Sequence, residues 1–423
     1  MLEKPKLFLD SKQFWLSMLF LSSLLAIRIF LIYSDYKEFK DKPFYFTEVN
    51  VLQAYEKYKN NRYYTVLKLY SSDLDIQFFT ISSIPSKEIY QRLRMKLFPN
   101  FKMRFMEYLG TSFISSQVNE IYPKESDLKG RILYYIDKQH QNSMVANFYS
   151  AIFLAKPLSK ALRKQVSILG VSHLIALSGF HLGILSGLLF FLLRPIYRVF
   201  QQRYFPYRFD LIDVGFIVLI ILAGFVWFVG SPPSLIRSYM MILSTWILLI
   251  LGVELLTLSF LVTVILILLI IFPHLLLSLA FWLSIIGVFY IFLLLHYISH
   301  LNNITITALI SFGLFVLMLP IVHIVFPIVS PLQLGSPFLS LIFTLFYPLS
   351  IFLHLICIGD ILDSVLIQLF TLKGTTLEIV VNPFLGGAYL LLSIGAFYFR
   401  KIFYLLLIVA FGFFIYFFID FWI

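Results

Sequence analysis

Long apolar runs fill the second half of the chain, and their length predicts helices that cross a membrane. A membrane-spanning helix needs about 20 mainly apolar residues. Such runs occupy 172–193, 211–229, 235–251, 255–272, 275–295, 304–326, 338–358, 384–399 and 402–422, and one more, 14–33, lies near the N-terminus. The pattern predicts a polytopic α-helical membrane protein with about 10–11 transmembrane helices. The eleventh would be a further crossing or a re-entrant segment within 359–383.

A different pattern occupies residues 42–125. Short runs rich in Tyr, Phe, Val, Thr and Ile alternate there with polar clusters such as KYKNNR and SSDLD. This alternation is typical of β-strands joined by tight turns and predicts a small barrel or sandwich. Beyond it, apolar residues at helical spacing predict one or two amphipathic interfacial helices. We therefore expect an anchor (1–34), a β-rich domain (35–125), interfacial helices (126–169) and a membrane domain (170–423).

Composition narrows the class of protein and of partner. Sixty per cent of the residues are hydrophobic and 13% are charged, whereas soluble domains have about 45–50% and about 25%. Residues 35–167 carry 21 Lys and Arg against 13 Asp and Glu. A basic region of this kind favours an anionic partner, either nucleic acid or lipid head groups. The single cysteine excludes a disulfide framework and a thiolate metal site, and no metal or cofactor is expected.

The distribution of basic residues predicts the orientation. Short loops rich in Lys and Arg stay in the cytoplasm. Lysines precede the first span, and arginines follow the span at 172–193: Lys4, Lys6, Lys12, Arg194, Arg198, Arg203 and Arg208. We expect an uncleaved N-terminal anchor with its N-terminus in the cytoplasm, a basic cytoplasmic loop at 194–208, and a β-rich domain on the opposite side.

The stretch GVSHLIALSGFHLG at 170–183 is too polar for a simple lipid-facing helix. It contains His173, Ser178, Gly179 and His181. Polar side chains are rare inside a bilayer unless they face protein or water. The stretch therefore predicts a channel lining or a helix break beside a channel. The alternative is close helix packing through Gly and Ser, with each histidine bonded to a backbone carbonyl.

Two further stretches break the apolar pattern. In GSPPSLIRSYMM at 230–241, Pro232 ends one span and Ser231 or Ser234 can cap the next. Arg237 then lies near the positive end of a helix, which is an anion-binding arrangement; the alternative is an arginine that reaches lipid head groups. In FPHLLLSLAFWLSIIGV at 272–288, Ser284 and its polar neighbours predict a seam that faces other helices.

The three stretches together resemble the conserved blocks of the ComEC competence-channel family, in the same order. Ser238 stands where the family usually has Ala, and Trp282 where it has Gln. The resemblance implies an inner-membrane channel that admits single-stranded DNA during natural transformation, with an OB-like extracytoplasmic domain. It also implies other competence proteins as partners, namely a periplasmic DNA receptor, a cytoplasmic helicase and a nuclease, besides a possible homo-oligomer.

Many members carry a metallo-β-lactamase-like domain with a His-x-His-x-Asp-His motif, and this motif does not occur here. We therefore expect a short form of the family, no catalytic residues and no enzyme activity. Two other functions stay open from the residues alone. One is transport of a small or lipid-linked solute. The other is intramembrane proteolysis by Ser178 with His181 as the base, although both lie on one helix.

Basic and aromatic residues alternate on the expected strands of the β-rich domain. The candidates for DNA contact are Lys57, Lys59, Arg62, Arg92 and Arg94. Aromatic rings can stack on bases while Lys and Arg bind the phosphates. The alternative is a solvated strand face whose alternate aromatic residues are buried.

Overall fold

The computed structural model describes residues 8, 10–59, 62–82, 92–122, 128–175, 177, 179–250 and 257–421. These residues pack into two compact units, each with its own core. One comprises Phe8–Gly130 and Val262–Leu279, and the other comprises the described parts of Arg131–Leu261 and Ala280–Ile423.

The first unit begins with a long helix and continues into a sheet. Its elements are α1 (Ser11–Asp41), β1 (Tyr45–Lys59), β2 (Arg62–Ser71), β3 (Ile76–Ser82), β4 (Arg92–Phe98), α2 (Phe105–Leu109), β5 (Thr111–Phe113) and β6 (Ser115–Ile121). A 3-10 helix at Pro273–Leu277 belongs to the same unit. Alternate residues of β4 are buried and exposed, as expected for a strand with one face on a core.

The sheet closes on itself. Its strand order is β5-β3-β2-β1-β4-β6, yet β5 and β6, at the two ends, are separated along the chain only by the buried Ile114. The hydroxyl oxygens of Thr80 on β3 and Ser116 on β6 lie 2.7 Å apart. The predicted β-rich domain is confirmed, and its closure is that of a small OB-like barrel around Leu67, Phe78 and Met95.

The rest of the chain is almost entirely helical, and its residues 262–271 also belong to the first unit. Its elements are α3 (Leu128–Gln139), α4 (Ser143–Leu154), α5 (Lys160–Ile168), α6 (Ser172–Ile175), α7 (Gly179–Tyr204), α8 (Asp210–Val229), α9 (Pro233–Ile250), α10 (Leu258–Ile271), α11 (Leu279–Ile298), α12 (Asn303–Val325), β7 (Ile328–Val329), α13 (Ser336–Leu355), α14 (Asp363–Thr371), β8 (Leu377–Glu378), α15 (Pro383–Tyr398) and α16 (Arg400–Phe418).

Seven of the described helices are long and apolar enough to cross a membrane, namely α1, α7, α8, α11, α12, α13 and α16. The chain is a polytopic α-helical membrane protein, as predicted. The other predicted spans correspond to α9, α10 and α15, but α10 has only 14 residues and α15 only 16. At 1.5 Å per residue both are shorter than a bilayer core of about 30 Å. The segment 359–383 contains the nine-residue α14, which is too short for an eleventh crossing.

The segment predicted to hold one or two amphipathic helices forms three. The side chain of Asn142 accepts a hydrogen bond from the Met144 N–H at 2.8 Å and caps α4. Ala155 ends α4 in the left-handed region with φ 56°, and Ser159 caps α5. These caps divide the segment. Most of α4 is buried, including Tyr149, so α4 is a core helix of the second unit, which we call the membrane unit.

Candidate functional site

Two helix interruptions meet where the polar stretches of the sequence lie. The first separates the single turn α6 from α7, which begins at Gly179. The second separates α8 from α9, where Gly230 and Ser231 have φ 99° and φ 52°. Ser234 Oγ donates a hydrogen bond of 2.7 Å to the carbonyl oxygen of Leu177. This bond satisfies a carbonyl that the interruption before α7 removes from regular helix bonding.

The sequence suggested Ser234 as a cap of α9. In the structure Ser234 does not cap this helix. Its hydroxyl is turned toward the other interruption. The carbonyl of Pro232 instead accepts the first bonds of α9, from Leu235 N at 2.9 Å and Ile236 N at 3.1 Å. Pro232 thus ends the interruption, and α9 starts with a proline, Pro233, whose missing N–H costs the helix nothing.

Gly179 allows α7 and α9 to approach closely. A Cβ at this position would lie 2.8 Å from Ser238 Oγ and 3.3 Å from Ser238 Cβ. Ser238 Oγ itself donates to the Ser234 carbonyl at 2.8 Å. The glycine is required by this contact, so two of the predicted channel residues, Gly179 and Ser234, belong to one packed junction.

The two histidines of the first stretch face the same neighbouring helix. His181 is buried, and its ring meets Phe343 and Tyr347 of α13 edge-on, with centroid distances of 5.1 and 4.8 Å. His173, on α6, has its Nε2 3.4 Å from Ser340 Oγ of α13. The structure therefore places both histidines along α13. Ser178 lies outside the described residues.

Arg237 is a buried cation. The residue as a whole is 5% exposed, and its Cζ lies 6.0 Å from the centre of the Phe281 ring on α11. Its Nε has no hydrogen-bond partner among the described residues, and none of their ion pairs involves it. Ser284 lies one turn beyond Phe281 and is half-buried. A buried charge needs a counter-charge or hydrogen bonds, so this position is suited to an anion.

Residues 155–422 match the family described as competence protein. This match covers the junction of α7 with α9, Arg237, and the α13 residues that contact the histidines. The chain belongs to the competence protein family. Family membership assigns it a role in competence, the uptake of DNA, as the resemblance in the sequence had implied. No curated protein and no solved structure matches the chain.

The basic segment of this family member differs from the loop that the sequence predicted. Helix α7 continues through Pro195 to Tyr204. Three of the arginines therefore lie on a helix, namely Arg194, Arg198 and Arg203, and only Arg208 lies in the loop that follows. Arg194 and Arg198 lie 2.8 and 3.0 Å from a carboxylate oxygen of Asp210, and Arg208 lies 2.8 Å from Asp213. The acids at the start of α8 therefore offset part of the positive charge of this basic segment.

The predicted DNA contacts on the β-rich unit are only partly available. Arg92 lies 3.5 Å from Glu48, and Arg94 lies 3.7 Å from Glu120. Lys57 is exposed on β1. Lys59 and Arg62 are register partners at the end of the β1–β2 hairpin, and their side chains lie outside the described set.

One lysine and three phenylalanines form a cluster on the same unit that no sequence motif indicated. Lys96 Nζ lies 3.9 Å from the ring centre of Phe44, 5.6 Å from that of Phe46 and 5.4 Å from that of Phe98. All three rings are partly exposed. Alternate residues of a strand share a face, so the sequence could have grouped the residues within each strand. Only the structure shows that Phe46 of β1 and Lys96 of β4 are register partners.

Lys68 provides a contrast on the neighbouring strand β2. Burial lowers the pKa of its ammonium group, since desolvation disfavours the charged form. Lys68 is therefore a weaker candidate for binding an external anion. Within the described chain, no group of three or more His, Cys, Asp or Glu side chains is arranged to hold a metal ion.

Proposed function

We propose that this chain forms the path by which single-stranded DNA crosses the inner membrane into the cytoplasm, as a channel and not an enzyme. The observation that carries the proposal is Arg237, a buried arginine without an acidic partner among the described residues. It lies next to two interrupted helices within the region that matches the competence protein family.

The position of Arg237 suits transient binding of a phosphate during translocation. The Arg237 guanidinium lies near the positive end of the α9 dipole, and both the charge and the dipole attract an anion. From residue 168 onward the chain carries 8 Lys and Arg against 7 Asp and Glu. A path with few fixed charges lets a polyanion leave as well as enter, because conduction requires binding that is favourable but weak.

The interrupted helices supply polar groups at membrane depth without exposing broken backbone to lipid. Irregular backbone inside a bilayer is tolerated where protein or a water-filled cavity covers it. The Ser234–Leu177 bond and the Gly179–Ser238 contact keep this irregular region packed. His173 and His181 add hydrogen-bonding groups beside α13.

The barrel provides a surface for capturing a single strand before translocation. Phe44, Phe46 and Phe98 present exposed ring area around Lys96. Bases of any sequence stack on aromatic side chains, while a nearby cation attracts the phosphates. This surface takes the place of the paired Arg92 and Arg94 as the leading DNA contact of the barrel.

The proposal includes an orientation and partners. The N-terminus and the 194–208 segment lie in the cytoplasm, since both are rich in basic residues. The barrel then lies outside the cytoplasm, where a DNA receptor delivers its strand. A helicase and a separate nuclease act with the channel on its two sides.

The test follows the location of labelled DNA in a naturally transformable host. Deleting this protein should leave labelled DNA at the cell surface or in the periplasm and remove it from the cytoplasm. Re-expression of the full chain should restore cytoplasmic label. Normal cytoplasmic label in the deletion strain contradicts the proposal, and loss of label already at the surface assigns the protein to an earlier step.

A further inference from the structure

A buried cluster far from Arg237 in sequence joins three elements of the membrane unit. His140 lies between α3 and α4, His354 near the end of α13, and Asp363 at the start of α14. His140 Nδ1 lies 2.9 and 3.0 Å from the two carboxylate oxygens of Asp363. His140 Nε2 lies 3.0 Å from His354 Nε2. Both imidazoles are buried.

The hydrogen-bond partners determine where the protons are. His354 Nδ1 lies 2.7 Å from the Ser350 carbonyl oxygen, which only accepts, so His354 Nδ1 carries a hydrogen. His140 Nδ1 faces a carboxylate and also carries one. A neutral imidazole has a single N–H. Two neutral rings would therefore direct two lone pairs at each other across 3.0 Å.

One additional proton between the Nε2 atoms removes this conflict. The distance of 3.0 Å is an ordinary hydrogen-bond length. His140 then donates from both nitrogens, to Asp363 and to His354, and is an imidazolium. Its nearly equal distances to the two oxygens suit an N–H facing an ionised carboxylate. The buried positive charge is balanced by Asp363, as a buried charge requires.

We propose that His140, His354 and Asp363 form a proton-binding latch, in which one proton shared by the two histidines holds the α3–α4 junction against the turn between α13 and α14. The latch is independent of the proposed DNA path. Loss of the proton leaves two facing lone pairs in a buried site and releases the contact between the rings.

Neighbouring contacts connect the latch to the turn. Gln139 Nε2 donates to the His354 carbonyl at 3.2 Å, and Gln139 Oε1 accepts from the Gly359 N–H at 3.0 Å. A Cβ at Gly359 would lie 2.6 Å from Gln139 Oε1 and 2.8 Å from His354 Nε2. The turn therefore packs directly on the latch, and opening the latch should free the backbone of the turn.

Among the described residues, the groups that surround the latch include no second cation paired with Asp363. Tyr149 of α4 packs its ring against both imidazoles, with centroid distances of 4.7 and 4.4 Å. The Tyr135 hydroxyl and the Cys357 thiol lie 2.6 Å apart nearby. Over the residues that the structure describes, the only ion pair of Asp363 is the one with His140. The proton on the histidine pair is thus the charge that balances Asp363.

Deuterium exchange of the full chain in nanodiscs tests the latch. Protection of the peptide 355–371, corrected for intrinsic exchange, should fall roughly tenfold as the pH rises from about 5 to about 8, the range in which histidine titrates. A peptide from α15 and α16 serves as the internal reference and should show no such fall. A flat profile for 355–371 overturns the proposal.

Variants separate the latch from general destabilisation. His354→Phe keeps the ring packing but removes the Nε2, so protection should be low at every pH. Asp363→Asn should move the fall to lower pH, because the shared proton loses its counter-charge. His296→Phe is the control, since His296 stacks on Phe397 outside the latch and should retain the full fall. The proposal is overturned if protection of 355–371 in His354→Phe still falls with rising pH. It is also overturned if the wild type binds a stoichiometric metal ion that His354→Phe does not bind.

Discussion

The barrel surface and the start of α9 both combine basic residues with aromatic rings, yet their arginines differ in exposure and in ion pairing. The Arg92 and Arg94 side chains are 63% and 50% exposed, and each has a carboxylate within 4 Å. Arg237 as a whole residue is 5% exposed, faces a phenylalanine ring and takes part in no ion pair of the described residues. Exposed pairs contribute about 0–1 kcal/mol, whereas a buried unpaired charge is costly.

This difference indicates different tasks. An exposed cation beside aromatic rings binds a strand reversibly, with an affinity that salt weakens. A buried cation costs stability while no anion is present, and an anion bound at this position would remove that cost. Substitutions at the α7–α9 junction should therefore alter uptake strongly, and substitutions on the barrel should have graded effects.

The largest effect is expected for Gly179→Ala. Its new Cβ would meet Ser238 Oγ at 2.8 Å, and overpacking of this kind costs about 1–3 kcal/mol. Thermal stability and DNA uptake should both fall. Gly183→Ala on the same helix is the matched control, because a Cβ there has no described atom within 4 Å.

The double variant Gly179→Ala with Ser238→Ala should recover part of the loss, because it removes the closest contact. Thermal unfolding in detergent measures the stability of all the variants. Equal stability of Gly179→Ala and Gly183→Ala would show that the close approach of α7 and α9 is not required.

A moderate effect is expected for Phe44→Ala on the barrel. Stacking contributes about 1–3 kcal/mol per base, so the affinity of the full chain for a labelled oligonucleotide should fall roughly tenfold at low salt. Fluorescence anisotropy in nanodiscs measures this affinity. Phe113→Ala removes an exposed ring of the same barrel that is not among those around Lys96 and should have little effect; equal losses for the two variants would refute a specific surface.

The smallest effect is expected for Arg92→Gln. Because Glu48 offsets part of the arginine charge, the oligonucleotide affinity should fall by less than about threefold. Glu48→Gln should tighten binding slightly, since it frees the arginine. The same anisotropy titration measures both variants, and a loss for Arg92→Gln larger than that for Phe44→Ala would reverse the ranking of the two contacts.

Local patterns along the chain predicted much of the fold. Apolar runs located the membrane helices, and short runs of aromatic and β-branched residues between polar clusters located the strands. The proline in GSPPS marked the start of α9. These features depend on neighbours within a few residues, and the sequence expresses them directly.

Contacts between distant segments could not be predicted in the same way. Ser234 suggested a helix cap, but its hydroxyl bonds Leu177, which is 57 positions away. The arginines after 193 suggested a free basic loop, but α8 supplies carboxylates to three of them, Arg194, Arg198 and Arg208. His140 has no local motif, and its partners lie more than 200 positions away. Periodicity specifies which face a residue occupies and does not specify which segment covers that face.

Arg237→Gln is the most direct test of the account. The substitution removes a buried charge that has no acidic partner among the described residues, so protein level and thermal stability should be unchanged or higher. Cytoplasmic uptake of labelled DNA should fall about tenfold or more. Arg237→Lys keeps the charge and should retain part of the uptake. Normal uptake in Arg237→Gln at an equal protein level would contradict the claim that DNA passes this arginine.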